Sequence, residues 1–332
     1  MKGEQPQGEQ QLTISIITTS EELPEMECSN FFHSAELFHI IEKTPGQTPY
    51  MLVAKQNGLV VGHMLATLRR RGSWIPPYLF SQGRVYGEGE YTESADKAII
   101  FEQFLKIITQ KLRRKMCLYI EFSDLSTKMF GYKVFRKEGY IPIRWMAVHN
   151  SLHSAPPEDR IGERVLARIE HAVNMGVEVK EVETEKEFND FYRMFKNYYS
   201  TKVRRYLPSP KMFAKLQETS HCKLFITKYR NRAIGAATCL YSNRNAYLWY
   251  MAAKRKSYPT LHPGTATVWG AITDAYNQHC WHINFLDVGL PFKKNHYRDF
   301  ILSFGGKEVS TYRWFRYTFP WLNKIAAWLY RE

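Results

Sequence analysis

The chain has 332 residues, 44% hydrophobic and 23% charged, a globular composition with room for two domains of ordinary size. Lys and Arg outnumber Asp and Glu by 46 to 32, and the net charge of +14 favours anionic partners, but no helix-turn-helix, RRM or KH signature points to sequence-specific nucleic-acid binding. Five scattered cysteines without a CxxC pair argue against a disulfide framework and fit a reducing, cytoplasmic setting, and no apolar run approaches the ~20 residues of a membrane span.

Residues 1–11 are polar, lack a signal-peptide pattern and read as a disordered tail. Met51 to Ala54, then Asn57-Gly58, then Leu59 to Val61 read as a β-hairpin, because Asn-Gly tolerates the positive φ angles of a tight turn. Ser81-Gln82-Gly83-Arg84 reads as a Gly-containing loop. A helix follows with Phe101, Phe104, Leu105, Ile108 and Leu112 on one stripe, then strands at Met116–Phe122 and Tyr140–His149. Ser154-Ala155-Pro156-Pro157 breaks the chain. Ile161, Val165, Ile169 and Val173 then recur every four residues up to Gly176, which predicts a helix bridging two domains.

The same order then returns. Lys223–Tyr229 is extended, Arg230-Asn231-Arg232 turns, Ala233–Tyr241 runs back, and a third strand spans Ala246–Ala252. A helix with Val268, Trp269, Ile272 and Tyr276 on one face leads to a strand at Ile283–Val288. Lys55 stands seven residues before Gly62, which Val61 precedes; Lys228 stands seven before Gly235, which Ile234 precedes. This recurrence indicates an internal duplication. His279-Cys280-Trp281-His282 has metal-like residue types but no second pair nearby, so no metal is expected.

The segment from Glu163 to Val179, a basic helix ending in Ala172 and Gly176 that feeds a Val-rich strand, resembles the FemAB family. Phe31-Phe32-His33-Ser34, the hairpin with Gly62, Leu207-Pro208-Ser209-Pro210-Lys211-Met212-Phe213 and Phe304-Gly305-Gly306-Lys307 extend the resemblance over nearly the whole chain. No sustained heptads occur, so the likeness is to an armless form, and the broader GNAT-like acetyltransferases are equally similar. The resemblance implies an α/β fold of two GNAT-like domains, with the N-terminal one over 12–153, a linker helix over 154–178 and the C-terminal one over 179–311. A basic aromatic segment, 312–332, follows and is expected to touch a membrane surface or to dock on the second domain. The implied activity is transfer of an acyl or aminoacyl group from acyl-CoA or aminoacyl-tRNA to an amine acceptor, with no tightly bound cofactor. The acceptor would be a lipid- or nucleotide-linked envelope precursor or another amine, met in the cytoplasm or on the inner membrane face.

The expected donor site is the turn Leu261-His262-Pro263-Gly264-Thr265-Ala266, where amides at a helix start can bind a pyrophosphate. Pro263, Gly264, Thr265 and Ala266 carry that role, although Leu261 stands where the GNAT pattern has Arg or Gln; the alternative is a Pro-Gly turn that merely starts a helix. The first half has no Gly in the corresponding stretch, Ser94 to Ala98, and is expected to shape the acceptor cleft instead. Asp287 is a candidate to orient or deprotonate the amine, and Tyr250 a candidate acid. Phe292-Lys293-Lys294 supplies the aromatic-Lys type that contacts acceptor in the family, with Lys293 as catalytic and Lys294 as substrate-binding candidate. Ile301 occupies the spacing where the family lysine belongs. Arg204 and Arg205, with Arg84, are the anion-binding candidates. No Ser/His/Asp or Cys/His set stands out, so direct transfer is expected. The rival expectation is a catalytically silent protein that binds an anionic glycan or lipid.

Overall fold

The computed structural model describes residues 12–72, 78–123, 130–199, 206–286, 288–291 and 293–330. The first half contains β1 (Leu12–Ile17), α1 (Ala35–Glu42), β2 (Gln47–Gln56), β3 (Leu59–Gly72), β4 (Leu79–Tyr86), β5 (Glu90–Tyr91), α2 (Lys97–Arg114), β6 (Tyr119–Ser123), α3 (Tyr132–Lys137) and β7 (Ile141–Ser151). The second contains α4 (Glu163–Asn174), β8 (Val177–Glu181), α5 (Glu185–Tyr199), α6 (Pro210–Gln217), β9 (Cys222–Tyr229), β10 (Arg232–Ser242), β11 (Asn245–Ala253), α7 (Pro263–Asn277), β12 (His282–Phe285), α8 (His296–Leu302), β13 (Lys307–Tyr317) and α9 (Pro320–Leu329).

Both hairpins form as the sequence predicts. Asn57 and Gly58 in one, and Arg230 and Asn231 in the other, all take positive φ. The duplication extends to a shared irregularity. Ala54 pairs with Gly62 and Lys55 with Val60, leaving Val61 as the extra residue of a β-bulge; Thr227 pairs with Gly235 and Lys228 with Ala233, leaving Ile234 in the same place. Each glycine is there for space: a Cβ on Gly62 would strike the Tyr91 ring, and one on Gly235 would strike Thr227 and Thr267.

The strands form one sheet in the order β1-β2-β3-β4-β6-β13-β7-β12-β11-β10-β9-β8, with β5 beside β3. Read outward from the middle, the halves mirror each other, except that their last strands are exchanged. β7 leaves the first half to pair with β12, while β13 returns from the second half to pair with β6. The two strands also pair with each other over nine residues. The halves are therefore joined through backbone hydrogen bonds rather than by a linker.

Strand alternation sends side chains into separate cores. Met51 and Val53 of β2 face α1, α5 and α6 in a core shared by both halves, while Leu52 and Ala54 face α2. In β10, Ala236 and Leu240 join the shared core and Ala237 and Cys239 face α7.

Three expectations need correction. Ser81 to Arg84 is not a loop but part of β4, with Gly83 under Leu112 and Ile120, where a Cβ would not fit. Residues 154–178 are not a free bridge: Val165 and Ile169 of α4 pack with Val268 and Ile272 of α7 in the second half's core, and Val173 is exposed. A boundary at 311/312 would cut through β13, whose Trp314 is fully buried against Phe135 in the first half, with ring centroids 4.5 Å apart. Tyr312 to Tyr317 is thus a central strand, and only α9 is left as a surface segment.

Candidate active site

The helices α1, α5 and α6 cover one face of the sheet at its flanks and leave the middle strands bare. The result is a cavity of about 510 Å³ between the halves. Its floor follows from alternation. Arg69 and Arg71 of β3, Gln82, Arg84 and Tyr86 of β4, Tyr119 and Glu121 of β6, and Arg313, Phe315 and Tyr317 of β13 point into it. Their neighbours Val85, Ile120, Phe122 and Trp314 point the other way into the first half's core. Trp145 of β7, Tyr206, Trp249 and Tyr250 complete the wall.

A hydrogen-bonded chain organises the floor. Arg69 Nε and Arg71 Nη1 both donate to Gln82 Oε1, at 3.2 and 3.1 Å, and Gln82 Nε2 donates to Glu121 Oε2 at 2.8 Å. Glu121 is ion-paired with Arg84 and lies 3.4 Å from Arg313 Nη1. Burial pushes the Glu121 carboxyl up, but Arg84, Arg313 and Arg69 outweigh it and hold it below the usual range. Glu121 is therefore an anchor for arginines rather than a base. All four guanidiniums also lie over rings: Arg69 over Tyr206 at 4.7 Å, Arg71 over Phe80 at 5.7 Å, Arg84 over Tyr86 at 4.3 Å and Arg313 over Trp145 at 4.2 Å.

Arg69 and Arg71 are only 8% and 9% exposed, and among the described residues neither is paired with a carboxylate. The one carboxylate near them, Glu121, is ion-paired with Arg84 and Arg313, so the positive charge of Arg69 and Arg71 is left in excess and suits an anion. Burial also raises the phenols of Tyr119 and Tyr206, so both stay protonated and can donate to the same ligand.

The expected donor turn lies elsewhere in the second half, and its residues Pro263 to Ala266 are buried. α7 starts at Pro263 after His262, which has a positive φ of 44° and gives no side-chain cap; the first turn holds no acidic residue. Among the described residues the N–H groups of Gly264 and Thr265 have no protein partner, while Ala266 N–H is already bonded to His262 O. The stem of Arg255 crosses Gly264, with its Cδ 3.4 Å from where a Cβ would stand. Leu261 is buried beside Ala266, Ile234 and Val177. The side chains of Pro263, Thr265 and Ala266 face inward, so this turn offers backbone and not side chains.

Between this turn and the cavity the sheet parts. β11 pairs with β12 only from Asn245 to Leu248, then runs on to Ala253, and Trp249 is the extra residue of a bulge against Thr238 and Cys239. Trp249 and Tyr250, the first residues past the parting, line the cavity. Strand β11 thus runs from the cavity wall at Trp249 and Tyr250 to Ala253, whose Cβ lies 3.7 Å from where a Cβ on Gly264 would stand.

Of the predicted residues, Arg84 and Tyr250 reach the cavity. Tyr250 does so as a structural group: its hydroxyl donates to Tyr206 O at 2.6 Å, and its ring packs on Phe195, Tyr199 and Phe213. Lys293 and Lys294 are exposed and do not line the cavity. Lys293 O instead accepts from Arg298 Nη2 at 3.2 Å. Asp287, Arg204 and Arg205 lie outside the described residues. The Phe304-Gly305-Gly306 segment is structural: Phe304 O accepts from Asn150, and the glycines allow close approach to Arg160 and Asn150. Sequence reasoning missed Arg69, Arg71, Gln82, Glu121, Trp145 and Arg313. The alternation Phe80-x-Gln82-x-Arg84-x-Tyr86 was a signal for Gln82 alone.

Residues 163–294 match the family model for the acetyltransferase (GNAT) domain, whose start coincides with α4. None of the curated proteins matches the chain. Similar solved structures include FemX, with a TM-score of 0.62 at 9% identity, covering 91% of this chain and 95% of that one. A tandem GNAT protein from the clavulanic acid biosynthesis pathway has a TM-score of 0.59 at 10% identity, covering 93% and 99%. L-PGS from Bacillus licheniformis has a TM-score of 0.53 at 11% identity, covering 80% and 90%. At these identities the likeness establishes the fold, which is two GNAT domains in tandem.

Proposed function

We infer that this chain, a tandem GNAT protein with an acetyltransferase-type second domain, moves an acyl or aminoacyl group from a phosphorylated carrier to an amine on an anionic acceptor. The observation that carries this reading is the pair of buried guanidiniums, Arg69 and Arg71, which among the described residues form no ion pair with a carboxylate and lie on the floor of a cavity whose wall includes Trp249 and Tyr250 of β11. Acyl-CoA or aminoacyl-tRNA is the donor, its phosphates near Gly264 and Thr265 and its acyl end passing Trp249 and Tyr250. The acceptor's phosphate or carboxylate sits on Arg69 and Arg71.

Among the described residues that line the cavity there is no cysteine, serine or lysine, which favours direct transfer over a covalent intermediate. The neutral amine attacks the carbonyl carbon, the bond from that carbon to the carrier breaks, and the proton lost by nitrogen ends on the carrier's sulfur or oxygen. The cavity's contribution is orientation and fixed positive charge. A thermal-shift screen of the full chain against acetyl-CoA, longer acyl-CoAs and charged tRNA tests this. One donor class should raise the melting temperature, whereas the absence of any shift or turnover contradicts the reading.

A lipid-linked acceptor is favoured by α9. This helix turns Trp321, Ile325, Trp328 and Leu329 outward, the two tryptophans 60% and 67% exposed. The segment before it is bound to Cys117 and Leu118 through Thr318, beside exposed Arg113, Arg114, Lys115 and Met116. Cations beside interfacial aromatics suit an anionic membrane surface, and Tyr317 of the cavity wall lies just before this helix. Co-sedimentation with vesicles containing anionic phospholipid should be strong and lost in Trp321→Ala/Trp328→Ala; equal pelleting of both proteins contradicts a lipid contact.

A further inference from the structure

Away from the cavity, three segments of the first half bring a thiol, an imidazole and a carboxylate together. Cys28 lies in the stretch before α1, His63 in β3 and Glu90 in β5, where His63 and Glu90 are cross-strand partners. Cys28 Sγ is 2.8 Å from Glu90 Oε2, His63 Nε2 is 3.4 Å from the same oxygen, and all three ligand atoms lie within 4.8 Å of one another. His63 is 3% exposed, and its Nε2 is buried with no hydrogen-bond partner while aimed at this group. An imidazole nitrogen in that position lacks a ligand rather than a place in the core. The other carboxylate oxygen, Glu90 Oε1, accepts from Ser29 N–H at 2.9 Å and from the Ser29 hydroxyl at 2.6 Å, which fixes the direction in which Oε2 points.

We propose that Cys28, His63 and Glu90 bind a zinc ion, with solvent on the exposed Cys28 side completing a tetrahedral set. One sulfur, one nitrogen and one oxygen suit Zn²⁺ better than the hard cations, which take oxygen alone. The Cys28–Glu90 contact holds the thiol proton; the ion replaces that proton, so each zinc bound releases it to solvent.

The position gives the ion a structural task. Phe31, just after Cys28, donates its N–H to Ser242 of the second half at 2.9 Å and stacks on His221, while Phe32 packs on Tyr86 and Tyr247 at the inner end of the cavity. Zinc would tie this crossing segment to β3 and to β5, a strand of only two residues. None of the three ligands lines the cavity, so the site stands apart from the transfer reading.

The test is a zinc titration of chelator-treated full-length protein against a chromophoric competitor, repeated with Co²⁺. One metal ion per chain, released protons and a thiolate-to-cobalt charge-transfer band are expected. Cys117, Cys222, Cys239 and Cys280 are buried, so the band reports on Cys28. Cys28→Ser, at an exposed position, should fold normally, abolish the band and weaken zinc by more than the ~10–100-fold typical of losing an outer-shell partner. Glu90→Gln should weaken zinc while keeping a thiolate band at higher cobalt. Equal metal binding by wild type and Cys28→Ser, or no thiolate band, overturns the proposal and leaves a hydrogen-bonded cluster.

Discussion

The two halves repeat one plan and differ where a donor would bind. In the first, β4 and β6 stay paired from Gln82/Tyr119 to Tyr86/Ser123, and the start of α2 is closed by Asp96, whose side chain accepts from Ile99 N–H. Glu88 occupies Lys97, the first residue of that helix, in an ion pair. In the second, β11 and β12 part after Leu248/Phe285, and α7 begins without a side-chain cap. An anion is thus repelled from one helix start and admitted at the other. The first half instead turns its strand faces, with Arg69, Arg71 and Arg84, to the cavity. Duplication supplied two half-sheets of one plan, and the side chains divided the work between them.

The exchanged strands offer the strongest way to break this comparison. Trp314 belongs to the second half by sequence and to the first half's core by contact, so Trp314→Ala should cost about 3–5 kcal/mol. Both halves should then lose stability in one transition by calorimetry; separate transitions would mean that they are independent bodies.

Arg69→Ala with Arg71→Ala should raise the acceptor KM at least about 30-fold, the effect of removing buried charge-assisted contacts worth roughly 2–5 kcal/mol, and leave the donor KM unchanged. A rise in the donor KM instead would reverse the roles of the halves.

Glu187 sharpens the comparison at the helix after each half's first strand. It closes a capping box with Thr184 at the start of α5 and pairs with Lys180 and Lys228, whereas α1 has only the Ser34 cap. Burial raises its carboxyl, but Lys228, Lys180 and the backbone N–H groups of Glu183 and Thr184 bring it down to about 2. A lowered folded pKa gives stability that is present above the unfolded value and is lost as pH falls through the folded one. Glu187→Gln should therefore destabilise the protein by about 1–2 kcal/mol at pH 7, with the difference fading between roughly pH 4.5 and 2 in denaturant titrations.

The smallest effect concerns the two helix starts. Gly264→Val puts a branched side chain against the Arg255 stem and the Ala253 methyl, and should raise the donor KM roughly tenfold. Asp96→Ala should do the opposite, costing about 1 kcal/mol as a lost cap and leaving the donor KM alone.

The duplication was legible because its marks are local. The Asn57-Gly58 and Arg230-Asn231 turns, and Gly62 and Gly235 beside their bulges, each follow from a few adjacent residues. The exchange of β7 and β13 was not, since pairing between residues as far apart as Phe122 and Trp314 leaves no trace in either segment. The floor of the cavity was half legible. Reading Ser81 to Arg84 as a loop hid the alternation that aims Gln82 and Arg84 the same way, and nothing in the spacing of Arg69, Glu121 and Arg313 joins them before the sheet is built. Cys28, His63 and Glu90 are likewise scattered, matching no metal-binding motif. The lysines Lys293 and Lys294 misled because residue type was followed without its surroundings.

The central claim is that the donor is held by the second half alone. Hydrogen exchange measured by mass spectrometry on the full chain, with and without saturating CoA and, separately, charged tRNA, tests it directly. One carrier should protect peptides covering 249–253 and 263–266 while leaving 86–98 unchanged; protection of 86–98, or of neither region by either carrier, would contradict it.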